Sequence, residues 1–199
     1  MTRIHPRLIL ASASSRRASL LREAGYAFEI LPTNTDESQL PGETPESLTL
    51  RLALAKARTA ASMSKRTPSP TFVLGADTVV VVDSIILGKP STPTDAMCML
   101  RALSGRTHKV LTAVALIRLP DFEEVSAVET TSVSFARLTD EDIEGYVSSA
   151  EPFDKAGGYA IQGLASRFVN RVDGSYSNVV GLPMPRVRML LQNLGWPES

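Results

Sequence analysis

Along the chain, short unbroken apolar runs alternate with stretches in which apolar residues recur every three or four positions, a pattern that predicts an α/β fold. Leu8 to Ala11 reads as a strand. From Ser14 a helical spacing brings Leu20, Leu21 and Ala24 onto one face, and Gly25 supplies the stop. Phe28 to Leu31 reads as a second strand, and the polar stretch Pro32 to Thr44, which holds Asp36 and Glu37, as a loop. Pro45 suits the first turn of a long helix through Lys65, with Leu48, Leu52, Ala55 and Thr59 along its apolar stripe.

The Pro- and Ser-rich stretch Lys65 to Thr71 predicts a loop, and FVLGADTVVVV after it a strand covered on both faces. A hairpin turn is expected at Asp83-Ser84 and a helix over Pro93 to Leu103. Lys109 to Leu119 and Val125 to Phe135 read as a long antiparallel pair, followed by a helix from Thr139 to Ser148 with Thr139 and Asp142 in capping-box positions. The segments GGYAIQG and SRFVNRVDG and a helix over Val187 to Leu194 complete an α/β fold with strands of mixed direction. The whole chain, 1–199, is expected to be one domain.

Composition narrows the function classes. At 199 residues and 43% hydrophobic content the chain can bury a core without disulfides or a structural metal. The 21 basic residues balance 21 acidic ones, so the broad positive face that a nucleic-acid polymer requires is not expected. No run approaches the roughly 20 apolar residues of a membrane span, and the N-terminus lacks a secretory pattern, so the expected location is cytoplasmic. The single cysteine, Cys98, lies in an apolar run and reads as a small core residue. Two histidines, His5 and His108, are too few for a histidine-rich zinc site; His108, near a strand start, reads as half-buried and structural.

Three segments could carry chemistry. In LILASASSRR a strand leads into a helix whose N-terminus offers free N–H groups, and Ser12, Ser14 and Ser15 add hydroxyls. Arg16 and Arg17 in the first turn oppose the helix dipole unless an anion sits among them, so the segment is either a phosphate turn or a solvated basic turn capped by Ser14. Asp77, embedded between apolar residues, must pair with a core lysine, cap a turn or hold a metal, and the small Gly75 and Ala76 beside it would leave room for a ligand. In EPFDKAGGYAIQG the glycines suit close approach of backbone to a flat ligand, with Gln162 able to read a base edge, or else a plain glycine-rich turn. ILGKP lacks the first glycine and the Ser/Thr of a P-loop, and no GxGxxG follows a strand.

Taken in order, LILASASSRR, Asp36-Glu37, LGADT, ILGKP, LSGRTH, EPFDKAGGYAIQG and GSYSNVVGLP resemble the Maf family, from Leu8 to about Pro183. The resemblance implies an elongated α/β fold with a mixed sheet and two lobes flanking a cleft, similar to inosine-triphosphate pyrophosphatases. It implies hydrolysis of nucleoside triphosphates to the monophosphate and pyrophosphate with a divalent cation, Mg²⁺, Mn²⁺ or Co²⁺. Arg16, Ser12 and Ser14 would bind phosphate; Asp77, Glu37, Lys56 and Lys89 would be catalytic, with Glu37 and Asp77 on the metal and Asp77 the proton acceptor. Arg17, Thr78 and Gln162 match the positions that set substrate choice, in the combination found in the branch acting on dTTP, UTP and modified pyrimidine nucleotides. The alternatives are the 7-methyl-GTP branch and a nucleotide-binding regulator of septum formation and cell division. Members of the family are often homodimers. Ser15 stands where many relatives have proline.

Overall fold

A computed structural model describes residues 6–64 and 69–197, so His5 and the loop positions 65–68 lie outside the described residues. Seven strands, six α-helices and three short 3₁₀ helices are found among those described. In chain order they are β1 (Arg7–Leu10), α1 (Ser15–Glu23), β2 (Glu29–Ile30), α2 (Pro45–Met63), β3 (Thr71–Val82), β4 (Ile85–Leu87) and α3 (Pro93–Leu103). There follow β5 (Thr107–Leu119), β6 (Glu123–Phe135), α4 (Asp140–Val147), β7 (Val169–Asp173), α5 (Tyr176–Val180) and α6 (Met184–Asn193). The strands form one sheet in the order β2-β1-β3-β5-β6-β7, with β4 paired to β3. β1 runs parallel to β2 and β3, while β3–β4 and β6–β7 are antiparallel, so the sheet is mixed. Three residues join β5 to the neighbouring β6, too short a link for a parallel crossover. No helix of the described residues is long and apolar enough to cross a membrane.

The chain divides into two compact units, one of residues 1–77, 112–129 and 181–199, the other of 78–111 and 130–180. In the first, strand alternation sorts side chains onto two layers. Leu8, Leu10, Phe72 and Leu74 pack with α1 and α6, through Leu21, Val187 and Leu191. Ile9, Ala11 and Val73 pack with α2, through Ala53, Ala57 and Ala60. Burial on both faces explains the nearly unbroken apolar sequence of β3. The second unit has its own core, in which Val80, Leu100, Leu103, Phe135, Ile143, Tyr146, Tyr159 and Phe168 meet.

Several local expectations hold. Ser14 caps α1 and Thr139 with Asp142 forms a capping box on α4. Asp83 and Ser84 take φ of 48° and 67°, the left-handed pair that a two-residue hairpin turn requires. Others fail for physical reasons. β2 shrinks to two exposed residues. The stripe on α2 is rotated: Thr59 is exposed and Ala55 half-buried, while Leu52, Ala53, Lys56, Ala57 and Ala60 face the sheet, because alanine lets the helix lie close. Cys98 is exposed, since α3 turns Ala96, Leu100 and Leu103 inward instead. His108 is fully rather than half buried, donating to or accepting from Tyr159 Oη at 2.7 Å.

Candidate active site

The first unit brings three of the expected residues together. Asp77 shares a face of β3 with Gly75, and that face looks onto α2. A Cβ on Gly75 would stand 2.2 Å from the Ala53 carbonyl oxygen and 2.7 Å from the Ala57 nitrogen. The missing side chain therefore makes room for the helix backbone, not for a ligand as the sequence suggested. With α2 seated so closely, Lys56 reaches Asp77 and donates to its Oδ1 at 2.6 Å. The same ammonium donates to Glu37 Oε1 at 2.6 Å, from the loop after β2. Asp77 and Lys56 are 7% and 8% exposed, whereas Glu37 is open to solvent. The buried charge that singled out Asp77 thus meets a core lysine, and the second carboxylate on that lysine distinguishes the cluster from a simple structural pair.

The turn between β1 and α1 adds donors. Ser12, buried, accepts from the Ser14 N–H at 3.2 Å and from Arg17 Nη1 at 3.1 Å. Ser14 Oγ accepts from the Arg17 N–H at 3.4 Å, and the first turn of α1 carries no acidic residue. Arg17 Nε donates to the Gly181 carbonyl at 2.8 Å, so its guanidinium braces the turn against the segment before α6. Desolvation pushes the Arg17 pKa below its ordinary value; the Asp77 carboxylate opposes this, the Arg16 charge adds to it, and Glu37 opposes it. The basic turn and the carboxylate pair therefore share one electrostatic neighbourhood, although Arg17 as a whole is only half-buried. Arg16 is half-buried in the same helical turn.

The remaining expected residues belong to the second unit. Thr78 follows Asp77 on the opposite face of β3 and is half-buried; Lys89 is exposed after β4; Gln162 is exposed in a turn beyond Tyr159. The glycines around it serve packing within the protein. A Cβ on Gly157, at φ +69°, would meet Val80 at 2.9 Å, and one on Gly163 would stand 2.1 Å from Glu151 Oε1. That Glu151 carboxylate accepts from Tyr146 Oη and the Leu164 N–H, both at 3.0 Å, which shapes the turn carrying Gln162.

Sequence reasoning missed Arg51 and Glu43. Arg51, on α2, grips the Glu43 carboxylate through Nε at 2.6 Å and Nη2 at 2.8 Å, and Nη2 also donates to the Ser38 carbonyl at 2.9 Å. The two residues straddle the helix cap, a spacing no local pattern marks.

Comparison with known proteins gives this constellation a context. Residues 7–194 match the family model described as Maf-like protein. A dTTP/UTP pyrophosphatase of Anaeromyxobacter dehalogenans strain 2CP-1 is 50% identical over 194 residues, covering 96% of each chain. A dTTP/UTP pyrophosphatase of Shewanella denitrificans is 48% identical over 188 residues, 92% of this chain and 93% of that one. Among solved structures, the Staphylococcus aureus Ham1 protein aligns with a TM-score of 0.49 at 14% identity, over 94% of this chain and 99% of that one.

Proposed function

The chain belongs to the Maf family, and from this premise we propose that it is a nucleoside triphosphate pyrophosphatase that converts dTTP and UTP to the monophosphate and pyrophosphate. The observation that carries the reading is the convergence of Glu37 and Asp77 on one ammonium beside a serine- and arginine-rich helix start. A hydrolase for a triphosphate needs this pairing of carboxylates for a cation with donors for the phosphates. Family membership and the names of the relatives supply the substrate class.

The donor set fits a divalent cation shared with its substrate. Mg²⁺ favours one or two carboxylates, with phosphate oxygens and water completing its shell, and the shared Lys56 ammonium holds the Glu37 and Asp77 carboxylates close together, engaging one oxygen of each. Among the described residues no group of three or more His, Cys, Asp or Glu forms a self-sufficient cage. Glu37 and Asp77 would hold the metal, whose contribution when bound is to offset phosphate charge and lower the pKa of water. Asp77 accepts the proton of the water attacking the α-phosphorus, and pyrophosphate leaves. Lys56 holds Asp77 oriented for that transfer, and Ser12, Ser14, Arg16 and Lys89 bind the phosphates. Arg17, Thr78 and Gln162 set the choice of base, Arg17 by fixing the turn that it braces and Gln162 by pairing with the uracil or thymine edge. The even charge balance suits free nucleotides rather than a nucleic-acid polymer, and a cytoplasmic location agrees with that substrate pool.

Incubation with dTTP, UTP, CTP, GTP and 7-methyl-GTP in Mg²⁺ or Mn²⁺, with separation of products, tests the reading. Monophosphate and pyrophosphate from dTTP and UTP are expected. Orthophosphate with a diphosphate, or no product from either pyrimidine, would overturn it.

A further inference from the structure

Glu37 lies in a stretch without helix or strand and is open to solvent, yet its carboxylate is delivered to Lys56. The neighbouring contacts show what delivers it. Asp36 Oδ1 accepts both the N–H of Ser38, at 2.9 Å, and its hydroxyl, at 2.6 Å, so the backbone folds back around Glu37. Arg51 then holds the Ser38 carbonyl and the Glu43 carboxylate with a single guanidinium. Glu43 Oε2 in turn accepts the Leu40 N–H at 3.0 Å, and the Glu43 carbonyl accepts from Gln39 Nε2 at 3.0 Å. The loop from Ser38 to Glu43 is thereby closed on itself and fastened to α2, the helix that also supplies Lys56. Arg51 holds Glu43 ionised, its carboxyl lowered to about 2.

We propose that Arg51 is a positioning residue which clamps the Ser38–Glu43 loop and so presets Glu37 for the divalent cation and the triphosphate. The proposal rests on the functional reading above, and adds a residue that touches neither metal nor substrate. A planar guanidinium can hold a carboxylate through two nitrogens while reaching a carbonyl; a lysine ammonium offers no such fork. The clamp matters because a metal ligand on an unanchored loop must be ordered each time the cation binds.

The test compares Arg51→Ala, Arg51→Lys and, as a control on the same helix, Arg58→Ala, which removes a surface pair with Glu124. Three readouts are used: amide hydrogen exchange of the metal-free protein, Mn²⁺ binding by electron paramagnetic resonance with inorganic tripolyphosphate, and Mg²⁺ titration of dTTP turnover. Arg51→Ala is expected to speed exchange at Ser38 and Leu40 about tenfold or more, with the middle of α2 still protected. It should weaken Mn²⁺ binding and raise the Mg²⁺ requirement about 10-fold or more, with the KM for dTTP at saturating Mg²⁺ little changed. Arg51→Lys should recover part of each effect, and Arg58→Ala should match the unaltered protein. Unchanged loop exchange, or a loosened loop with unchanged Mn²⁺ binding, would overturn the clamp. Absence of turnover in the unaltered protein would overturn the functional reading, while exchange and Mn²⁺ binding would still decide the proposal.

Discussion

Lys56 Nζ stands 2.6 Å from Asp77 Oδ1 with side-chain exposures of 10% and 9%, and the same nitrogen reaches Glu37. The arrangement is asymmetric: without Asp77 the ammonium keeps one carboxylate, but without Lys56 the buried carboxylate loses its charged partner. Lys56→Met is therefore expected to destabilise the fold by about 3–5 kcal/mol, and Asp77→Asn by less than half as much. The double variant should recover much of the loss. Urea unfolding of the three variants checks this, and equal losses for the two single changes would contradict it.

Because Asp77→Asn is nearly isosteric and leaves Lys56 its Glu37 contact, it separates chemistry from folding. A missing proton acceptor lowers turnover by about 10²–10⁴-fold. The expected result is a fall of that size in kcat for dTTP with a cooperative urea transition retained. A kcat within about threefold of the unaltered protein would remove Asp77 from the acceptor role.

Gly75→Ala tests how the site is held. The new methyl would collide with backbone atoms of Ala53 and Ala57, neither of which can rotate aside. Pushing α2 from the sheet should cost about 1–3 kcal/mol and draw Lys56 away from Asp77, lowering activity as well as stability. By contrast Gly88→Ala, where no atom lies within 4 Å of the added carbon, should leave stability nearly unchanged.

The contrast between Gly75 and Lys56 shows what was legible in the sequence. The unbroken apolar run of β3 gave away a strand buried on both faces, and the lone Asp77 within it gave away a charge in need of a partner. The partner's identity depends on how closely α2 approaches, which is set by Gly75 and the alanines at contact and has no period in the sequence. Cys98 misled for a related reason: in a run apolar but for Arg101, small differences in helix rotation decide which residues turn inward. Arg51 and Glu43 escaped because their pairing depends on the path of an irregular loop. Gly157 and Gly163 stood out as glycines, but their space is taken by Val80 and Glu151 rather than by a ligand.

His108 carries a pH dependence of stability. Burial against Phe135 and Tyr159 pushes its pKa down to about 4, against about 6.5 when unfolded. Between those values the unfolded chain binds a proton that the folded chain does not, so stability falls as pH drops through this window and is unaffected by His108 above it. At about 1.36 kcal/mol per pH unit, the loss from pH 7 to pH 4 attributable to this group is about 3 kcal/mol. Replacing His108 with Gln should flatten the stability profile between pH 6.5 and 4 by about one proton. Urea unfolding at several pH values gives the slope, and an unchanged slope would show that His108 is protonated within the fold.

Gln162 is the residue through which base choice is most directly tested. Its carboxamide can accept from the N3–H of uracil or thymine and donate to the adjacent carbonyl, but a rotated amide would serve cytosine equally well. Discrimination therefore requires the amide to be held in one orientation, and the turn that Glu151 shapes through Tyr146 and Leu164 provides a fixed backbone from which to hold it. Two hydrogen bonds of about 0.7–1.4 kcal/mol each correspond to a combined loss of about 10–100-fold, so Gln162→Ala should lower kcat/KM for dTTP and UTP by that amount. The loss should appear mainly in KM, because the base is remote from the α-phosphorus and is bound alike before and during the reaction. Turnover of CTP should change less, narrowing the preference. An equal loss for dTTP, UTP and CTP, carried by kcat, would mean that Gln162 acts on the reacting phosphates and that the base is read elsewhere.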